Sequence, residues 1–162
     1  MPFEYAGAAK VSAVNLKKEG PDHDKVLAVE IAASVMVDRA FMANFDPTLG
    51  AFLWDGDAIR FPSMGPVGWT GSVRNMEIEI LGLFASGVAL DRFEITPLPG
   101  ESASIEFRAR WRPEANDVAI VSESLVEPTV DIKLTLMPAL DFTEKPPLSA
   151  MVKKRKSRQE LA

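Results

Sequence analysis

The sequence predicts a mainly β protein, an antiparallel β-sandwich or open barrel of about six or seven strands with two short helices. Three observations indicate this fold. Apolar residues recur at every second position over most of the chain, helical spacing is confined to two short stretches, and glycine and proline separate the segments. At 162 residues, 47% of them hydrophobic and 25% charged, the chain suits one domain with a core. We expect a β-rich domain over residues 1–142 and a tail over residues 143–162.

The first two predicted strands cover residues 9–17 and 25–37 and form a hairpin. The first alternates loosely between apolar and polar positions, and the turn sequence GPDHD follows it at residues 20–24. The second, KVLAVEIAASVMV, is apolar at most positions, which is typical of a strand covered on both faces. His23, the only histidine, lies in the turn, where a solvated position is favoured over a metal site.

The next stretch changes to helical spacing at Phe41, Phe45 and Leu49. Asp38 and Asp46 each stand where a helix N-cap residue would stand, and a proline follows Asp46. We therefore expect one or two short helices, interrupted at this Asp-Pro pair. Their aromatic stripe should cover one opening of the sheet.

Residues 54–71 predict a long irregular loop with at most a short edge strand at residues 59–61. The loop contains four glycines and two prolines among its eighteen residues. Long ordered loops often carry function, and Phe61 and Trp69 are the aromatic residues expected to contact a partner. For Trp54 and Trp69 the alternative is packing over the open end of the sheet.

Four further strands are predicted after this loop, and they carry the clearest alternation in the chain. They cover residues 72–83, 87–96, 104–112 and 129–137, with a hairpin turn at residues 97–100 and a short helix over residues 113–125. In the third of them Phe107 and Trp111 belong to the apolar face, so both are expected in the core.

The polar face of these four strands carries five bases and five acids. The bases are Arg92, Arg108, Arg110, Arg112 and Lys133, and the acids are Glu77, Glu79, Glu94, Glu106 and Asp131. Arginines at every second position suit a phosphate backbone. The equal count instead favours a ladder of cross-strand ion pairs that needs no ligand.

Several kinds of chemistry are excluded or unsupported. The chain has no cysteine, which excludes disulfides, thiolate metal clusters and cysteine nucleophiles. It has no phosphate-binding glycine motif, and Asp55 and Asp57 lack the remaining ligands of a calcium loop. We therefore predict no catalytic residue, metal ligand or cofactor, and expect a protein that is not an enzyme. An enzyme built on scattered carboxylates would need a pocket that raises the pKa of its acids.

Charge is distributed unevenly along the chain. The net charge is −5, but the last twelve residues carry +4, which leaves −9 on the other 150. An acidic body repels nucleic-acid phosphates, so contact with nucleic acid is expected only at the tail. The basic residues of the tail are Lys153, Lys154, Arg155, Lys156 and Arg158. A solubilising terminus is the alternative.

The sequence also bears on where the protein acts. No apolar run is long enough to span a bilayer, and the N-terminus lacks the order of a signal peptide. We therefore expect a cytoplasmic protein that has no contact with membranes.

Four segments carry a resemblance to a known group of proteins. They are FDPTLGAFLWD from Phe45, RFP from Arg60, LDRFEITP from Leu90 and FRARWRP from Phe107. With these segments the chain resembles a group of small uncharacterised proteins of tailed phages and prophages, often encoded near replication and recombination genes. The resemblance spans most of residues 5–138 and implies action in the host-cell cytoplasm, in DNA processing or against a host system. It brings no catalytic residues.

Taken with the resemblance, these patterns predict a non-enzymatic phage-type binding module. It would be accessory to DNA recombination or replication, or act against a host system, by contacting a protein or single-stranded nucleic acid through its tail, Phe61 and Trp69. The alternative is a structural or assembly protein that forms homo-oligomers through its sheet edges.

Overall fold

The fold is taken from a computed structural model that describes residues 3–21, 25–137, 156–157 and 160–161. Up to residue 137 the described strands are β1 Tyr5–Glu19, β2 Val26–Asp38, β3 Trp54–Asp55, β4 Ala58–Ile59, β5 Val67–Trp69, β6 Val73–Ile80, β7 Leu83–Leu98, β8 Ser102–Trp111 and β9 Val130–Leu136. The helices are a 3₁₀ helix Arg39–Asn44, α1 Leu49–Leu53 and α2 Asp117–Glu123. Two short parallel strands, β10 Lys156–Ser157 and β11 Glu160–Leu161, pair with each other.

Seven of these strands form one antiparallel sheet in the order β5-β7-β6-β9-β1-β2-β8. Because β7 also pairs with β8, the ring of six strands from β7 through β6, β9, β1, β2 and β8 closes on itself. The prediction of a mainly β, antiparallel sandwich or open barrel with short helices is thus confirmed, and the curled form is a barrel.

The ring is not paired along its whole length. β1 pairs with β9 from Tyr5 to Ala9. It pairs with β2 from Ala9 to the end of their hairpin, where Glu19 lies opposite Val26. Within the described residues, the second half of β1 therefore has a strand neighbour on one side only. The predicted hairpin of the first two strands is confirmed, and it extends beyond the barrel wall.

β7 closes the ring because it changes partner along its length. Its first half pairs with β6, and its second half pairs with β5 on the same edge. The change coincides with a β-bulge against β8, where Arg92 and Phe93 lie opposite the single residue Phe107. Arg92 has φ +57°, a left-handed conformation that is uncommon outside glycine and costs backbone strain.

The core fills the inside of the barrel. The inward residues of β8 are buried at every second position, including Phe107 and Trp111, as the alternation predicts. Trp54 is also buried, and its indole Nε1 donates to the carbonyl of Leu98 at 2.9 Å. On β2 the outward side chains of Ala28 and Glu30 are buried, but Ala32 and Ser34 are only half-buried and Met36 is 54% exposed, so the prediction of a strand covered on both faces is wrong beyond Glu30.

An aromatic cluster packs where the helical segment meets the barrel. Phe41 and Phe45 contact Phe3 edge-on, and Phe45 also contacts Phe93, with ring centroids 5.1, 6.0 and 5.2 Å apart. The cluster confirms the aromatic stripe predicted between residues 41 and 53. It holds the 3₁₀ helix against the barrel, because edge-to-face pairs add attraction beyond the area they bury.

The helix ends were only partly predicted. Asp38 is the N-cap of the 3₁₀ helix, and its carboxylate accepts from the amide of Phe41 at 3.2 Å. Asp46 is not an N-cap, because α1 starts at Leu49; its carboxylate instead accepts from the backbone N–H and the hydroxyl of Thr48, at 2.7 and 2.6 Å. These hydrogen bonds hold the pKa of Asp46 below its usual range.

The segment before α2 and the loop of residues 54–71 also differ in detail from prediction. α2 begins at Asp117, since the carboxylate of Asp117 accepts from the amide of Glu114 and stabilises a turn after Pro113. In the loop, β3 and β4 form a separate two-stranded hairpin, and β5 joins the main sheet. No helix in the described part of the chain has the length and apolar character needed to cross a membrane.

Candidate binding site

A buried carboxylate organises the charges on the outer wall of β1, β2 and β8. Glu30 points outward from β2, yet its side chain is 0% exposed. It pairs with Lys17 at 3.1 Å, with Arg108 at 3.1 Å and with Arg110 at 3.3 Å. Burial alone raises the pKa of Glu30, but the hydrogen bonds and charges of Lys17 and Arg108 outweigh burial and hold the pKa below its ordinary value.

The predicted ladder of ion pairs is therefore only partly correct. Arg108 and Arg110 do form ion pairs, and Arg110 also contacts Asp91 at 3.4 Å. Their partners, Glu30 and Asp91, lie outside the predicted set of five acids. The sequence did not predict Glu30 as an ion-pair partner, because Glu30 lies in an otherwise apolar run. Its charge inside that run was the signal that could have identified it.

Next to this network a groove of about 410 Å³ crosses the outer wall. Its floor is made of small residues, including Ala32 and Ser34, and its walls are long charged side chains. One row of paired residues runs across four strands from Lys10 through Ser34 and Glu106 to Glu94. The groove thus offers one amine and two carboxylates along a line perpendicular to the strands.

The charges of this groove differ from those of the network beside it. Lys10, Arg92, Glu94 and Glu106 form no ion pair with any other residue that the structure describes. Glu94 and Glu106 even lie directly opposite each other on β7 and β8. Like charges in opposed register destabilise an antiparallel pair. The same groove is also lined by three bases, Lys10, Arg92 and Arg108, so its lining as a whole is not acidic.

A second groove, of about 480 Å³, adjoins the first and shares Arg92 and Glu94 with it. Trp69 lines this second groove and is half-buried. Its ring packs edge-on against Phe45 and Phe93, with centroids 5.2 and 5.4 Å away. Trp69 therefore packs over the barrel, as the alternative for this residue predicts, and still presents surface to a groove.

An exposed apolar surface, which we call the loop patch, is shared by α1 and the irregular loop. It consists of Phe52, Phe61 and Met64, which are 45%, 44% and 37% exposed. The rings of Phe52 and Phe61 contact each other with centroids 5.4 Å apart. Neither phenylalanine lines the groove that contains Trp69, so the two predicted contact residues, Phe61 and Trp69, do not share that groove.

Hydrogen bonds connect the loop to α1 and to the turn between β7 and β8. The amide of Arg60 donates to Leu53 at 2.8 Å, and its guanidinium Nε donates to the carbonyl of Ala51 at 3.1 Å. The amide of Gly100, in the turn between β7 and β8, donates to the carbonyl of Asp57 at 2.9 Å. The bonds of Arg60 to α1 accompany the contact between Phe61 and Phe52 of α1.

Most of the predicted contact residues of the tail lie outside the residues that the structure describes. Lys156 lies in β10, whereas Lys153, Lys154, Arg155 and Arg158 lie outside the described residues, as does His23. Among the residues that are described, no group of three or more histidine, aspartate or glutamate side chains is placed to hold a metal ion.

Comparison of the chain with protein-family models, with curated proteins and with solved structures found no match.

Proposed function

We propose that this protein is a non-enzymatic binding module of phage type that holds a protein partner on its loop patch. We propose that the protein acts as an accessory to DNA recombination or replication, or against a host system. The observation that carries the proposal is the exposed contact of Phe52 in α1 with Phe61 in a loop that is hydrogen-bonded to α1 and to the turn between β7 and β8. Preorganised aromatic side chains are the usual anchors of protein interfaces.

The charges around the loop patch favour a protein over a nucleic acid. Asp46, Asp55 and Asp57 are exposed near the patch in sequence, against the single base Arg60. Phosphates would be repelled at this end of the molecule. Any contact with nucleic acid is instead assigned to the basic tail from Lys153 to Arg158.

The protein-binding proposal is tested by capture from phage-infected or lysogenic cells with matched variants. Phe61→Ala should lose the partner that the unmodified chain retains. Phe84→Ala is the control, because Phe84 is 60% exposed on β7 but lies outside the loop patch. Equal retention by both variants would remove the loop patch from the interface.

Contact between the tail and nucleic acid needs a separate titration. Fluorescence of labelled single-stranded oligonucleotides is followed with the full chain and with a chain that ends at Ala150. Binding that requires the tail and weakens with salt supports the assignment. Binding that is absent, independent of the tail or insensitive to salt contradicts it.

A second candidate function, assembly through sheet edges, is favoured by one observation. In the described residues the second half of β1 is paired on one side only, and Leu16 and Leu27 are exposed on this part of the hairpin. Unpaired edges can take up a strand of another copy. Light scattering should then show an oligomer that Leu16→Lys dissociates, whereas a strict monomer would rule the assembly function out.

A further inference from the structure

The loop patch is bordered by aspartates that have no cationic partner. Asp46 lies just before α1, and Asp55 and Asp57 lie in the β3–β4 hairpin that follows α1. All three are exposed, and none forms an ion pair with another residue in the described part of the chain. Their charges are therefore not neutralised there.

The bases of the same region do not cancel these charges. Residues 38–64 contain four aspartates and two arginines, and Glu101 adds an acid by pairing with Arg39 at 2.8 Å. The region thus has five acids against two bases. The second base, Arg60, donates from its guanidinium to the carbonyl of Ala51 at 3.1 Å and forms no ion pair with a described residue. The surroundings of the loop patch are negatively charged as a whole.

The unpaired acids lie close to the apolar side chains. The amide of Phe52 donates to the carbonyl of Thr48 at 3.1 Å, and the carboxylate of Asp46 accepts from the amide of Thr48 at 2.7 Å. About one helical turn therefore separates Asp46 from Phe52. Asp55 follows Phe52 by three residues, which span at most about 11 Å. The loop patch is thus an apolar centre with an acidic border.

An apolar centre with an acidic border fits one kind of partner best. Nucleic acids and anionic lipid surfaces carry phosphates, which the border repels. A second copy of the chain would bring the same negative border against this one. An amphipathic helix with lysine or arginine beside its apolar face suits both parts of the surface, because its long cationic side chains extend past the apolar contact to the acids.

We propose that the loop patch binds an amphipathic basic helix of a protein partner. The apolar face of that helix would pack on the rings of Phe52 and Phe61. Its lysines or arginines would pair with Asp46, Asp55 and Asp57. The inference rests on the proposed function in that the loop patch is the interface, and it adds the chemistry of the partner.

The test is a titration of the full isotopically labelled chain with a peptide that repeats Leu-Lys-Lys-Leu three times, followed by amide NMR shifts. The control peptide has glutamate in place of lysine. The lysine peptide should shift the amides of residues 46–64, with a dissociation constant that rises with salt. Equal shifts from the glutamate peptide, or none in this region from the lysine peptide, would overturn the proposal.

Matched charge variants separate the site from a general attraction of the peptide to an acidic protein. Asp55→Asn/Asp57→Asn should weaken binding of the lysine peptide about threefold to tenfold, since two exposed ion pairs are lost. Asparagine is a common turn residue, so the hairpin should keep its fold. Glu77→Gln/Glu79→Gln, on β6, removes the same charge and should bind as the unmodified chain does. Equal weakening in both variants would refute the site.

Matched phenylalanine variants test the apolar centre. Phe61→Ala should weaken binding of the lysine peptide at least about tenfold, because an aromatic anchor is removed. Phe84→Ala, which removes an exposed ring of β7 outside the loop patch, should leave binding unchanged. Equal binding by the two variants would show that the peptide contacts only the acids, and would overturn the proposal.

The other possible occupants have their own readouts. Lys153→Gln/Lys154→Gln/Arg155→Gln in the full chain should bind the lysine peptide as the unmodified chain does. Tighter binding would show that the tail of the same chain occupies the loop patch. Shifts of residues 46–64 that appear when the protein concentration alone is raised would show that a second copy occupies it. Either result would overturn the assignment to a partner.

This experiment and the capture experiment fail separately. If Phe61→Ala loses the captured partner and the lysine peptide produces no shifts, the basic helix is refuted and the loop patch remains the interface. If the lysine peptide binds the loop patch and capture is unchanged in Phe61→Ala, the proposed function is refuted, whereas the preference of the patch for a basic helix is supported.

Discussion

At the scale of single residues, the carboxylate of Glu30 has the largest influence on the outer wall. Three bases surround it, and its position on β2 makes it fully buried even though it points away from the core. A buried carboxylate is stable only when it is paired and hydrogen-bonded, so the fold depends on Lys17, Arg108 and Arg110 for its charge balance.

Replacing Glu30 should therefore destabilise the protein. We expect Glu30→Gln to lower the free energy of unfolding by about 1–3 kcal/mol, because three bases lose their shared acceptor and stay close together. Glu106→Gln, on the neighbouring strand and without an ion pair, should change it by less than about 0.5 kcal/mol. Urea denaturation measures both variants, and equal effects would contradict the role given to Glu30.

The same carboxylate should make stability depend on pH in the acid range. The pKa of Glu30 in the folded protein lies below its ordinary value of 4.5, which holds for the unfolded chain. A lowered folded-state pKa contributes stability that is complete above the ordinary value and is lost as the pH falls towards the folded value. The stability difference between the unmodified chain and Glu30→Gln should thus shrink below pH 4.5. A constant difference would contradict the lowered pKa.

Core positions could be predicted from sequence better than charge partners. Phe107 and Trp111 lie in a regular alternation, and burial at every second residue follows from strand geometry alone. Which acid meets Arg108 depends instead on strand order and register, because β2 comes to lie beside β8 only in the folded barrel. Pairings of that kind leave no local pattern in the sequence.

At the scale of elements, the turn between β6 and β7 shows where local prediction fails. Only Leu81 and Gly82 connect the two strands, with φ +51° and +81°. Positive φ at both positions is the geometry of a type I′ hairpin, which favours Asn-Gly. Because leucine is not a turn residue, the first strand was predicted to run to residue 83 and the second to start only at residue 87. Prolines and glycines likewise concealed β5 within the loop.

The same turn leads to a prediction about stability. Leu81→Asn should raise the free energy of unfolding by about 0.5–1 kcal/mol, since asparagine adopts the left-handed conformation with less strain than leucine. Leu81 is 40% exposed, so little packing is lost. Leu16→Asn is the control, because Leu16 is similarly exposed at 52% but lies in extended β1. Thermal unfolding compares them, and a gain at Leu16 equal to that at Leu81 would argue against turn strain.

At the scale of the whole molecule, the barrel separates packing from recognition. Its interior is occupied by the apolar side chains of the strands, while the grooves and the loop patch lie on the outside. Alternation along each strand suffices to predict the packed interior. The surfaces on the outside depend on which strands become neighbours and on how β7 changes partner. Of the residues on these surfaces, only Phe61 and Trp69 could be proposed from the sequence, as aromatic residues in an irregular segment.

The partial closure of the barrel should be visible in backbone dynamics. From Val29 to Val35, β2 is paired with β1 and β8 on its two sides, whereas β1 beyond Ala9 is paired with β2 alone. Amides that point to an unpaired edge have no hydrogen bond in the ladder. Alternate amides of residues 13–19 should therefore exchange hydrogen at least about a hundredfold faster than the slowest amides of residues 29–35. Amide exchange followed by NMR at low protein concentration measures this difference.

A concentration series of the same exchange experiment distinguishes an exposed edge from one used for assembly. If a second copy pairs with β1, protection of residues 13–19 should increase with protein concentration, because each added strand supplies new hydrogen-bond partners to the edge. If the edge stays free, exchange should be fast at every concentration. Slow exchange that does not change with concentration would contradict both, since it would require that part of the same chain covers the edge.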